Sequence, residues 1–196
     1  MILRRILLPI LVFGTIVFLA AGGYAQRREF LRGDEIEQVR EAQEANDRLK
    51  LYALFARDRL DRIDRELAGK ASEERGAAIH DLLYEYQQII DAIDDVADLA
   101  LTKRDLVRKG IDAVVHAEPD FLKRLQAIEE KNPSDRETYR FALKEAIDST
   151  QSSLEESKKL LAKQPAASKG ELKKEEKERA EEEKYEKEKA AKKKPQ

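Results

Sequence analysis

IHDLLYEYQQIIDAIDDVADLALTKRDLVRKGIDAV, residues 79–114, carries an apolar or aromatic side chain at every seventh position: Ile79, Tyr86, Ile93, Ala100, Val107 and Val114. Leu82, Leu83, Ile89, Ile90, Val96 and Ala97 flank that series. Seven residues are close to two turns of an α-helix, so such side chains share one face, and the stretch predicts a long amphipathic helix with a coiled-coil-like seam. Thr102 and Asp105 have the spacing of a helix start, but the register does not slip there. The expectation is therefore one helix of about 45 residues, roughly 65 to 70 Å long. Ser72, followed by Glu73 and Glu74, has the chemistry of its N-terminus. Pro119 ends or kinks it, with Glu118 at or close to its last helical residue, because an interior proline removes a hydrogen bond and crowds the preceding turn.

Upstream, Asp34 to Leu67 contains neither Pro nor Gly, and Asp34 with Glu37 has the spacing of a capping box. Val39, Asn46, Ala53, Leu60 and Leu67 repeat every seven, with Ala42, Leu49, Ala56 and Ile63 three residues after the first four. That is an a/d seam on a single predicted helix, stopped by Gly69. Leu51, Tyr52, Leu54 and Phe55 widen its apolar stripe and imply more than one neighbouring helix. Asn46 occupies an a position, where it either fixes register as a buried amide or turns outward near a fraying end.

Downstream, Phe121, Leu122, Leu125 and Ile128 form a short amphipathic piece, interrupted at Asn132-Pro133. Ser134 and Glu137 have capping-box spacing and predict the start of a last helix. It carries Leu143, Ile147, Thr150, Leu154, Ser157 and Leu161 on its inner face. The fold class predicted is all-α: an elongated antiparallel three-helix, coiled-coil-like bundle over residues 26–163, its third helix broken at Pro133 and therefore countable as four.

The ends differ in kind. Arg4 and Arg5 precede Ile6 to Gly22, seventeen residues without a charge, and Gly23 and Ala25 are small at the two positions a signal peptidase tests. Residues 1–25 thus read as a secretory signal cut after Ala25, giving a periplasmic or secreted product. The other reading is a retained membrane anchor over residues 6–22, with Arg27, Arg28 and Arg32 as a basic flank. Residues 164–196 hold twenty charged side chains and only Leu172 and Tyr185 as sizeable apolar ones. They predict a charged tail, disordered or a solvated helix.

Of 196 residues, 38 are basic and 40 acidic, and the region 27–163 carries a net charge of −6. Nucleic acid is therefore not an expected partner. Protein partners or self-association are, together with contact to a membrane surface through the N-terminus or Lys192-Lys193-Lys194. The absence of cysteine excludes disulfides, thiolate metal sites and cysteine nucleophiles.

Few residues suggest chemistry. Asp91, Asp94, Asp95 and Asp98 form an acidic cluster, and Asp94-Asp95-Val96-Ala97-Asp98 resembles the D-D-x-x-D with which helical prenyl-transferring enzymes hold magnesium and diphosphate. In the register of Ile93 these aspartates fall on positions b, c and f, away from the seam, which reads as a solvated acidic face. A small-ligand or metal site at Asp91–Asp98 is the alternative. Arg57, Arg59, Arg62 and Arg65 alternate with Asp58, Asp61 and Asp64 and read as surface ion pairs, Asp58 with Arg62 and Asp61 with Arg65. His80 and His116 lie thirty-six residues apart, roughly 54 Å along one helix, and read as exposed. No residue is assigned a catalytic, cofactor-binding or metal-binding role. The functional expectation is an exported, non-catalytic helical protein of the cell envelope, a scaffold, adaptor or chaperone-like holder acting through its surface. In general style it resembles the periplasmic coiled-coil chaperones, which are more basic.

Overall fold

In the computed structural model the described residues are 29–165, with Lys177, Ala180 and Lys184. The predicted signal or anchor lies outside them, as does nearly all of the charged tail. The described chain is all-helical, in five α-helices packed against each other: α1 Gly33–Glu41, α2 Ala45–Leu67, α3 Glu73–Lys103, α4 Arg108–Lys131 and α5 Arg140–Lys163. A short 3-10 turn, Arg136–Thr138, precedes α5.

The four long helices form a ring in which α2 touches α3 and α4, and α5 touches α3 and α4. Pairings along their lengths set the directions. Arg124 on α4 reaches Asp61 and Asp64 on α2, while Asn46 of α2 meets Gly110 of α4, so these two run parallel. Tyr86 of α3 meets Thr150 of α5, and Arg75 meets Asp135 just before α5, so α3 and α5 also run parallel. The α3–α4 connection consequently crosses the bundle's end instead of joining ring neighbours.

Burial follows the predicted seams closely. Ile79, Tyr86, Ile93, Ala100, Val107 and Val114 are all buried, as are Leu49, Ala53, Ala56, Leu60 and Ile63, and Leu143, Ile147, Thr150, Leu154 and Ser157. Helix continuity does not follow the prediction, and three boundaries are corrected.

The helix expected from Asp34 to Leu67 breaks at residues 42–44, where Ala42 and Glu44 are extended. Glu35 and Arg59 are 2.6 Å apart across the resulting reversal. A continuous helix would hold them roughly 36 Å apart, so their pairing and an unbroken helix exclude one another. The Arg48 guanidinium donates to the freed Ala42 carbonyl at 2.7 Å.

The single helix expected from Ser72 to Glu118 divides at residues 104–107. Ser72 does cap its start, its hydroxyl accepting from Arg75 N at 3.2 Å. At the other end Arg104 is left-handed (φ 61°, ψ 32°), and the amides of Arg104 and Asp105 close back on Leu101 and Ala100, a Schellman closure on a residue that is not glycine. The chain then re-enters a helix that runs through Pro119, so proline neither ends nor starts an element here. Val107 cannot cap α4 itself. Asn46 does so from α2: its Oδ1 accepts from Gly110 N and its Nδ2 donates to Leu106 O, both at 2.8 Å. A half-buried Asn46 thus ties the α3–α4 corner to α2, which neither sequence reading of that residue described. The long rods number four instead of three.

The last helix begins at Arg140, not near Ser134. Asp135 is held by Arg75 in a bidentate pair (2.6 and 2.7 Å), which docks residues 132–139 on the start of α3 in non-α-helical form.

Candidate functional site: a buried carboxyl pair

Polar side chains interrupt the apolar core where α3, α4 and α5 meet. Thr150, Ser153 and Ser157 are buried on α5, and Glu118 is fully buried on α4. Their hydroxyl hydrogens can be traced. Thr150 Oγ1 bonds to the Ala146 carbonyl at 2.6 Å, which uses its only hydrogen, so Tyr86 must be the donor in the 2.8 Å Tyr86–Thr150 bond. Ser153 Oγ lies 2.7 Å from Asp94 Oδ1 and spends its hydrogen there. Glu118 also stands within the influence of Ser153, but both of its carboxyl oxygens lack an aligned donor.

Electrostatics follow from that arrangement. Burial pushes the Glu118 carboxyl up to about 8; nearby Asp94 adds to the rise, and Ser153 and Lys158 oppose it. Burial likewise raises Asp94 to about 6, with the Ser153 bond opposing and Glu156, Asp91 and Asp98 adding. Burial also raises the Tyr86 hydroxyl. A carboxyl in an apolar site keeps its proton because the charged form loses its hydration. Glu118 therefore holds its proton more tightly than an exposed carboxyl, with neither of its oxygens bonded, while Ser153 bonds Asp94.

The cluster read from sequence is thereby split. Asp91, Asp95 and Asp98 are exposed, as the b, c and f positions imply, whereas Asp94 is half-buried and turned to α5. Glu118, which completes the pair, was not singled out. Its signal was present: Val114, Val115, Phe121 and Leu122 surround it at helical spacings of three and four. Among the described residues no group of three or more His, Asp or Glu is arranged to hold a metal ion.

Arg59 requires a second correction, since it is not a surface residue but fully buried. It pairs bidentately with buried Glu35 (2.7 and 2.6 Å), donates to the Phe30 carbonyl at 2.9 Å, and its Nε lies 2.7 Å from Glu85, out of hydrogen-bond alignment. This cluster clamps α1 to α2 and α3 and offers no open coordination. Asp58 pairs with Arg32 and Arg59, and Asp61 and Asp64 with Arg124, in place of the expected i to i+4 partners. Arg57 and Arg65 are exposed and Arg62 lies 3.7 Å from Glu85. His80 and His116 are both exposed. A surface depression of about 310 Å³ is lined by Glu29, Asp81, Tyr84 and Glu85, apart from the carboxyl pair.

Fold and site together define a helical bundle with one buried layer of carboxyl and hydroxyl side chains and one buried ion cluster. Comparison of the chain with protein-family models, with curated proteins and with solved structures gave no match.

Proposed function

We propose that the protein is an exported, non-catalytic helical bundle of the cell envelope that acts through its surface, as a scaffold, adaptor or holder of other chains. The observation that carries this reading is the uncharged run Ile6–Gly22 behind Arg4 and Arg5, leading into a chain whose heptad side chains are consumed by its own core. Side chains packed inward at Ile93, Val107 and Val114 leave function to the exterior. The elongated, coiled-coil-like character and the solvated tail belong to the same reading; α3 alone extends roughly 46 Å. Among the described residues no helix is long and apolar enough to cross a membrane; the anchored alternative of this reading uses the N-terminal run Ile6–Gly22.

A second reading, a bundle that binds a small cation or ligand, is favoured by the unsatisfied oxygens of Glu118 beside Asp94. One preparation separates the two. The chain is isolated from envelopes after photo-cross-linking from exposed positions on α2 and α5, and its metal content is measured. A discrete adduct with an envelope protein or a second copy supports surface action. A stoichiometric metal, lost on Asp94→Asn and Glu118→Gln, with no adduct, overturns it in favour of the second reading.

A further inference from the structure

Residues 101–106, at the turn from α3 to α4, are six consecutive exposed residues. Leu106 is 68% exposed, Leu101 44%, and Leu99 just before them 50%. Three of the five large apolar side chains exposed in the described chain therefore gather at one end of the bundle. The same corner carries Lys103, Arg104, Arg108 and Lys109 against one acid, Asp105. Most arginines elsewhere in the described residues are spent on carboxylates: Arg32, Arg40, Arg59, Arg62, Arg75, Arg124, Arg136 and Arg140 all have an acidic partner. Lys103, Arg104 and Arg108 make no ion pair among the described residues, although the chain around them is acidic overall.

The corner is also held rigidly. Asn46 fixes Leu106 O and Gly110 N, the Gln164 side chain accepts from Val107 N at 3.2 Å, and Asp105 N returns to Ala100 O at 2.9 Å. Arg104 adopts a left-handed conformation that costs a non-glycine residue stability. Strain persists where surrounding structure over-determines it, and such outliers concentrate at working sites. Bonds from α2 and α5 thus prop up a tip that exposes leucines and cations to solvent at a stability cost.

We propose that this tip is a docking surface for an anionic membrane, with Leu101 and Leu106 entering between lipid headgroups and Lys103, Arg104 and Arg108 remaining at phosphate level. The charge is complementary to acidic lipid, and long cationic side chains can stay with headgroups while leucines pass deeper. Leucines exposed individually on a turn suit a soft interface more than the shaped groove a peptide needs. The proposal does not depend on export, and it uses neither the N-terminal run nor the tail's lysines.

The absence of cysteine makes the test clean. Leu106→Cys and, at the opposite end, Phe141→Cys are labelled singly in the full chain with an environment-sensitive dye. Vesicles of phosphatidylcholine with about 30% phosphatidylglycerol, or of phosphatidylcholine alone, are then titrated in. The dye at 106 should shift to the blue with anionic vesicles only, while the dye at 141 stays unmoved. Lys103→Gln, Arg104→Gln and Arg108→Gln together should weaken the response about a hundredfold, at roughly fivefold per cation; far-ultraviolet circular dichroism checks that this variant keeps its helices. No shift at 106, an equal shift at 141, or a shift with polyglutamate but not with vesicles overturns the proposal, the last in favour of an acidic protein partner.

Discussion

Replacing Gly110 by alanine should destabilise the protein, although the residue lies inside a helix where alanine is ordinarily the better choice. A Cβ at this position would meet Asn46 Cα and O at 2.8 Å and Leu49 Cβ at 2.9 Å. Two of those three atoms are backbone and cannot rotate away. Carbon atoms pack at about 3.5 Å or more, so α2 and α4 must part by roughly 0.7 Å at their closest approach. Movement there also stretches the Asn46 Oδ1–Gly110 N bond that caps α4. Overpacking costs about 1 to 3 kcal/mol and the capping bond is worth about 1, against a propensity gain of about 1 kcal/mol for alanine. The net expectation is a loss of about 1 to 3 kcal/mol, read as a lower urea midpoint at unchanged slope. Gly33→Ala is the control, because nothing lies within 4 Å of its added carbon; its midpoint should stay or rise slightly. If Gly110→Ala rises as well, α2 and α4 do not touch there and the corner geometry is wrong.

Three further outcomes follow from the buried charges and the strained turn. Burial pushes the Glu118 carboxyl up to about 8 in the folded chain from about 4.5 when unfolded, so the native state binds the extra proton between these values and stability must fall as pH rises through them, by on the order of 5 kcal/mol in all. Urea midpoints of Glu118→Gln should keep only the fall below and around pH 6 that Asp94 contributes, lie nearly flat from there to pH 8, and exceed the parent's at pH 9; parallel curves for the two would remove Glu118 from the account. Arg59→Ala strands Glu35 in the core, a loss of about 3 to 5 kcal/mol if α1 stayed docked; release of α1 is less costly. Hydrogen exchange should then show residues 33–41 unprotected while α3 and α5 keep their protection, and a uniform loss would argue against α1 as a separable clamp. Arg104→Gly relieves the left-handed strain and should raise the thermal midpoint by the equivalent of about 0.5 to 1 kcal/mol. A lower midpoint would place residue 104 in another conformation.

Sequence periodicity reports burial more faithfully than continuity. Val107 and Val114 are buried as the repeat from Ile79 requires, yet the chain leaves the helix between 104 and 107 and re-enters on the same face. A four-residue turn keeps a seven-residue repeat in phase, so nothing in the seam marks the break. The interruption at 42–44 is equally silent locally, having neither Pro nor Gly; the Glu35–Arg59 pair, formed twenty-four residues apart, is what requires it. Arg59 could have been suspected from Phe55, Ala56 and Ile63 at its helical neighbours, as Glu118 could from Val114 and Phe121. Asp94 was legible only as one of four similar acids, because Ser153, which distinguishes it, arrives from another helix.

Surface action in the envelope stands or falls with the natural product's intact mass and the cell fraction that holds it. A chain beginning at Gln26 in the soluble envelope fraction is the predicted result, and a full-length chain in envelope membranes would replace cleavage by anchoring. Recovery of the uncut chain from the cytosol would contradict export and, with it, the proposed role.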